Sequence, residues 1–244
     1  MTETSSDDDG DLLPIALTAH PDPEALARAL AAHVAEALRR RIASDGAASL
    51  AVSGGRTPIR FFEALSGAPL DWDKITVTLV DERWVPETSE RSNAALVRRH
   101  LLQGPAAAAH FVPLYTGDAT PEDGLEDAHA AMAMVPRPFA AVVLGMGDDA
   151  HTASFFPGAP TLYAAIDPRT DADLVAVHAA TAGEPRITFT IRPLIGADAL
   201  FLHIEGPHKR MVLDAAREPG DALERPIRAI LLHSPRPLDV LWCP

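Results

Sequence analysis

The feature that most constrains this chain is a set of short apolar runs, each closed by a loop of glycines and charged residues. Residues 139–144 (FAAVVL) contain no polar side chain, and residues 75–80 (ITVTLV) are rich in β-branched ones. Runs of this kind suit strands that are covered on both faces, as in a parallel sheet. None approaches the roughly 20 apolar residues that a membrane-crossing helix needs. Helical signals lie between them. Asp22 as N-cap, Pro23 at the first helical position and Gly46 past the end frame a helix with an apolar stripe of Leu26, Leu30, Val34 and Leu38. Further strands are expected at residues 12–19, 48–52, 174–178, 187–191, 199–204 and 238–242. Further helices are expected at residues 92–102, 207–216 and from Thr120 to before Pro136. The alternation predicts an α/β class: a mostly parallel sheet flanked by helices on both faces, in a single domain over residues 12–244.

Composition narrows the partners. Of the 244 residues, 47% are hydrophobic and 23% charged, enough to bury a sizeable core. Lys and Arg number 21 against 34 acids, a formal net charge of -13, which argues against nucleic acid or an anionic membrane as partner. A small anion remains possible where the few cations converge, and only two of them, Lys74 and Lys209, are lysines. Cys243 is the sole cysteine, so no internal disulfide forms. Residues 1–11 are polar and acidic, unlike a positively charged leader. They are expected to be a disordered tail on a monomeric cytoplasmic protein.

In open α/β sheets, sites form where loops leave the carboxyl ends of strands. Three such loops stand out. Ser53-Gly54-Gly55-Arg56-Thr57-Pro58 has two glycines that let backbone N–H groups approach an anion, with Ser53 and Thr57 as hydroxyl donors. The same pattern also fits an ordinary tight turn before a helix. Asp81-Glu82-Arg83 is either a surface ion-pair cluster or the place where a guanidinium fork grips a phosphate or carboxylate. The third loop, residues 144–154, reads LGMGDDAHTAS. Gly145, Gly147 and Ala150 fit the loose dinucleotide pattern G-x-G-x-x-G/A, yet two acids occupy the turn where a pyrophosphate would sit. His151 follows Asp149 by two residues, so the carboxylate could fix the tautomer of an imidazole acting as general base. A structural histidine is the alternative. No H-E-x-x-H spacing, cysteine pair or G-x-S-x-G elbow occurs, so neither a metal site nor a serine nucleophile is expected.

Taken together, SGGRTP (53–58), VDERWVP (80–86), Ser92-Asn93, LGMGDDAHTASFFPG (144–158), PRITFTI (185–191) and GPHKR (206–210) resemble the 6-phosphogluconolactonase family. That family lies within the glucosamine-6-phosphate isomerase/deaminase fold group. The resemblance implies a modified Rossmann-like fold and hydrolysis of 6-phospho-D-glucono-1,5-lactone to 6-phosphogluconate, without a cofactor. It implies that His151 is the general base and Asp149 its neighbour, and that Arg83, Lys209 and Arg186 contact the anionic substrate beside the 53–57 loop. Backbone donors near Gly145, Gly147 or Gly54 are candidates for the oxyanion site. Amino-sugar phosphate deaminases on this fold instead resemble Asp-Glu-Tyr at 81–83 and His-Ile-Ala-Phe-Asn-Glu-Pro from position 151. A sugar-phosphate binder without turnover is a further alternative. The chain departs from the family in three places. Asp148-Asp149-Ala150 replaces the usual Pro-Asp-Gly, which puts an extra charge beside the site and strains Ala150 if φ is positive there. Many members carry a histidine shortly before Ser-Asn, where this chain reads Ser89-Glu90-Arg91. Arg56 adds a cation to the first loop.

Overall fold

The computed structural model describes residues 12–244, so the expected acidic tail lies outside the described residues. The chain runs β1 (Ile15–Ala19), α1 (Pro23–Asp45), β2 (Ala48–Val52), α2 (Ile59–Ser66), β3 (Ile75–Leu79), β4 (Asp81–Arg83), α3 (Asn93–His100), β5 (His110–Phe111) and α4 (Leu125–Met132). It continues through β6 (Ala141–Leu144), α5 (Leu162–Ile166), β7 (Leu174–Val177), β8 (Arg186–Phe189), α6 (Ile191–Ile195), β9 (Leu200–Glu205), α7 (Pro207–Arg217), α8 (Ile227–His233) and β10 (Leu238–Cys243). Seven strands form one all-parallel sheet in the order β1-β10-β9-β6-β2-β3-β5. Its middle strands β2 and β6 are buried at every position; β6 is wholly apolar, and the one polar side chain of β2, Ser49, donates to the Pro136 carbonyl.

Helix α1 shows how local chemistry fixes an element. The Asp22 carboxylate accepts from the Ala25 amide at 2.7 Å, and Gly46 closes the far end by donating to Ile42. The stripe Leu26, Leu30, Val34 and Leu38 is wholly buried, and the helix lies across β2, β6 and β10. Burial of four such side chains contributes about 1.5–3 kcal/mol each before entropy is counted.

The expected strands at 174–178 and 187–191 do form, but outside the parallel sheet. They make a separate antiparallel sheet, β4-β8-β7, which claims Asp81–Arg83 as its edge strand. These three residues, expected as a loop, are held instead as a strand by pairing with β8. Its register sets Arg83 directly opposite Arg186. Two like charges facing across a strand pair are locally unfavourable, and such a conflict persists where a site uses both. The helix expected from Thr120 is shorter, beginning at Leu125 after a turn, and α5, α6 and α8 were not foreseen. Among the described residues, no helix is long and apolar enough to cross a membrane.

Candidate active site

The carboxyl ends of β9, β6 and β2, adjacent in the sheet, and the small antiparallel sheet surround a cleft of about 410 Å³. The loops after β2 and β6 supply Ser53, Gly54, Gly55, Thr57, Gly145, Gly147 and His151 to its wall; Arg83, Arg186 and Lys209 come from β4, β8 and the first turn of α7. Nearly every residue singled out in the sequence is therefore brought together. Two do not line the cleft: Arg56, which is exposed, and Asp149, which reaches it only through its contact with His151. Lys74, the other lysine, pairs with Asp71 on the surface.

His151 is partly exposed, its ring tilted against Phe156 with centroids 4.5 Å apart. Its Nδ1 lies 2.5 Å from Oδ1 of Asp149. The hydrogen bond with His151 is the main cause that holds the Asp149 carboxyl below its ordinary range, against the opposing effect of partial burial. An ionised carboxylate at Nδ1 keeps the ring proton there, leaving the Nε2 lone pair free to accept one. The loop closes on itself. The Gly147 N–H donates to the His151 carbonyl at 2.8 Å, and the Ala150 N–H to the Gly147 carbonyl at 3.2 Å. A Cβ at Gly147 would overlap the imidazole, so the ring owes its position to a missing side chain. Ala150 has φ 62°, in the left-handed region, as its replacement of glycine led one to expect.

Two expected oxyanion donors are spent elsewhere. The Gly147 amide makes the loop bond just described, and the Gly145 amide donates to Ser53 Oγ at 3.2 Å. The Gly54 and Gly55 amides, by contrast, have no acceptor among the described residues.

The cationic wall is built with more care than the sequence disclosed. Glu82 is completely buried and accepts from the amides of Arg83, Asn93 and Ala94 and from Ser92 Oγ. Burial pushes its carboxyl up, and these four donors pull against that. Asn93, thus fixed, donates to the Asp81 carbonyl at 2.9 Å and accepts from Arg83 Nη1 at 2.8 Å. A Cβ at Gly54 would overlap the Asn93 carboxamide, so the same side chain ties Arg83 to the glycine loop. Asp81 accepts from Ser154 Oγ at 2.5 Å and stands 3.8 Å from Arg186 Nη1. Arg186 is buried. Its guanidinium lies 5.5 Å over the ring of Phe156 and donates to the Ala182 carbonyl. Burial is the chief cause that lowers its pKa; Asp81 opposes this and the Arg83 charge adds to it. The Nε atoms of both Arg83 and Arg186 are buried without a partner among the described residues. Both are donors sealed from solvent without a partner beside the cleft, a local cost that the fold bears next to its site.

Asp81, Glu82 and Asn93 were missed as site residues. The signals were there: Asp81-Glu82-Arg83 stands out as a charged segment after β3, and Ser92-Asn93 is among the family-like stretches. Arg91 also lines the cleft and pairs with Glu184 on the loop before β8. Asp148 does not crowd His151. It turns to Lys209, Nζ to Oδ1 2.6 Å, with His208 Nε2 at 3.5 Å.

Residues 21–242 match the model of a family described as glucosamine-6-phosphate isomerases/6-phosphogluconolactonase. The chain belongs to that family. A curated 6-phosphogluconolactonase from Mesorhizobium japonicum is 53% identical over 226 residues, spanning 93% of this chain and 94% of the relative. One from Pseudomonas aeruginosa is 46% identical over 218 residues, or 89% and 90% of the two chains. The crystal structure of a 6-phosphogluconolactonase from Shewanella baltica superimposes with a TM-score of 0.93 at 39% identity, covering 96% of this chain and all of that one. Family membership accounts for the fold; the roles of individual side chains rest on the geometry above.

Proposed function

We propose that this protein hydrolyses 6-phospho-D-glucono-1,5-lactone to 6-phosphogluconate, with His151 as general base. The observation that carries the reading is His151, held at Nδ1 by Asp149, lining a cleft whose other walls hold Arg83, Arg186 and Lys209. A lactone is an activated ester, so water suffices as nucleophile. Nε2 of His151 takes a proton from water as the oxygen attacks C1, and the imidazolium returns it to the ring oxygen as the C1–O bond breaks. Asp149 stabilises the imidazolium between the two transfers. General-base help of this kind supplies about 10²–10⁴ in rate.

Charge develops on the C1 oxygen in the same step. The free Gly54 and Gly55 amides, and Arg186 on the ring that also supports His151, are the donors suited to it. Lys209 and Arg83 hold the phosphate, whose binding energy positions C1. Convergence of these cations lets an acidic protein take up a dianion. The protein is read as a cytoplasmic monomer with a small-molecule partner and no cofactor.

The test is lactone hydrolysis measured above the spontaneous background, wild type beside His151→Ala. Loss of the catalysed rate in the variant is expected. Equal rates would remove His151 from the mechanism, and ammonia release from glucosamine 6-phosphate would turn the assignment to a deaminase.

A further inference from the structure

We propose that Asp148 is a built-in competitor for the substrate's phosphate at Lys209, and so sets how tightly the cleft holds a phosphorylated ligand. The inference rests on the reading that Lys209 contacts that phosphate. Asp148 Oδ1 lies 2.6 Å from Lys209 Nζ and 3.5 Å from His208 Nε2. The two partners differ in setting. The Asp148 side chain is 72% exposed and the Lys209 side chain 26%. The lysine is thus held by its surroundings in the first turn of α7, while the carboxylate reaches over from the His151 loop. Among the described residues, no other carboxylate pairs with Lys209. Lys209 lines the cleft and Asp148 does not. A ligand phosphate and the Asp148 carboxylate therefore seek the same ammonium group from different sides.

The competition is asymmetric. Asp148 leaves Lys209 for water at little cost because it is already largely hydrated, and a dianion attracts the ammonium more strongly than a monoanion. The pair is nevertheless given up at each binding event, and apparent affinity falls by the fraction of molecules in which Lys209 is engaged. A pair this exposed is worth about a two- to fivefold factor. A neutral lactone makes no claim on Lys209, so the effect is confined to phosphorylated ligands.

The test compares wild type, Asp148→Asn, Asp148→Ala, Lys209→Ala and the Asp148→Asn/Lys209→Ala double variant at constant ionic strength. Calorimetry reads 6-phosphogluconate binding; kinetics read KM for 6-phosphogluconolactone and for unphosphorylated glucono-1,5-lactone. Both Asp148 variants are expected to bind 6-phosphogluconate about two- to fivefold more tightly. KM for the phosphorylated lactone should fall by the same factor, KM for the unphosphorylated one should not move, and the gain should vanish with Lys209. Unchanged or weaker binding in both Asp148 variants, with Lys209→Ala still weakening the wild type, overturns the competitor role alone. A Lys209→Ala change without effect in either background overturns the assignment of Lys209 itself.

Discussion

Nδ1 of His151 and Oδ1 of Asp149, two residues apart on one loop, stand 2.5 Å apart. The contact decides which ring nitrogen is free. Replacing Asp149 by Asn puts a neutral amide there, which neither holds the tautomer as firmly nor stabilises the imidazolium. The expected result is a fall in kcat on the order of 10²-fold with KM little changed, measured by steady-state hydrolysis. A fall in affinity alone would place Asp149 in binding instead.

The same pair predicts a pH dependence of stability. Hydrogen bonding with His151 lowers the Asp149 pKa in the folded protein, so the group adds stability above its unfolded value of roughly 4. That contribution is lost as pH falls through the lowered folded value. Asp149→Asn lacks it, so urea midpoints of the two proteins should differ most near neutrality and converge in acid. The side chain is 40% exposed, so screening keeps the difference under about 1 kcal/mol.

Much of this was legible because its causes are local. Asp22, Pro23 and Gly46 specify α1 by capping chemistry that needs no tertiary context, and the run at 141–144 announces a buried strand by lacking polar residues, as the largely apolar run at 48–52 does with Ser49 alone interrupting it. The antiparallel β4-β8-β7 sheet was hidden because pairing Asp81–Arg83 with a segment about a hundred residues away is a property of the fold. Asn93 was hidden likewise: its contacts with Asp81, Arg83 and Gly54 exist only once α3 docks against β4. That the Gly145 and Gly147 amides are engaged within the loops was not legible, because a glycine-rich sequence does not say whether its amides face a ligand or close their own turn.

Glu82 carries the next prediction. Four donors converge on a fully buried carboxylate, which accepts at both oxygens. Glutamine has the same shape but points an NH₂ group at some of those donors, leaving them unpaired. Glu82→Gln is expected to destabilise by about 2–4 kcal/mol even though it removes a buried charge. Because Asn93 and Arg83 depend on the same network, KM should rise as well. A variant as stable as wild type by urea denaturation would show that the network tolerates the amide.

Ala150 tests the cost of the catalytic turn. Its φ of 62° is tolerated by glycine and costs an L-residue about 1–2 kcal/mol, but its methyl is buried. Ala150→Gly relieves the strain, loses the packed methyl and frees the unfolded chain, so it should change stability by less than about 1 kcal/mol. Ala150→Val adds β-branching where it is least tolerated and should destabilise by more than about 2 kcal/mol. Thermal melts of the pair separate backbone strain from simple change of volume.

Arg186 is where function and local comfort conflict. It is buried, faces Arg83 across the strand pair, and keeps an unpartnered Nε while its guanidinium lies over Phe156. A lysine retains the charge but not the planar fork, the stacking or the donor to the Ala182 carbonyl. Arg186→Lys should therefore lower kcat/KM by on the order of 10²-fold, the amount expected for a preorganised donor at a developing charge. Stability should move by less than about 1 kcal/mol, because the lost hydrogen bond is offset by relief of crowding between two fixed guanidinium groups. Hydrolysis rates beside urea midpoints decide it. Activity and stability falling together would make Arg186 a structural strut, whereas loss of activity alone means that its guanidinium serves the substrate.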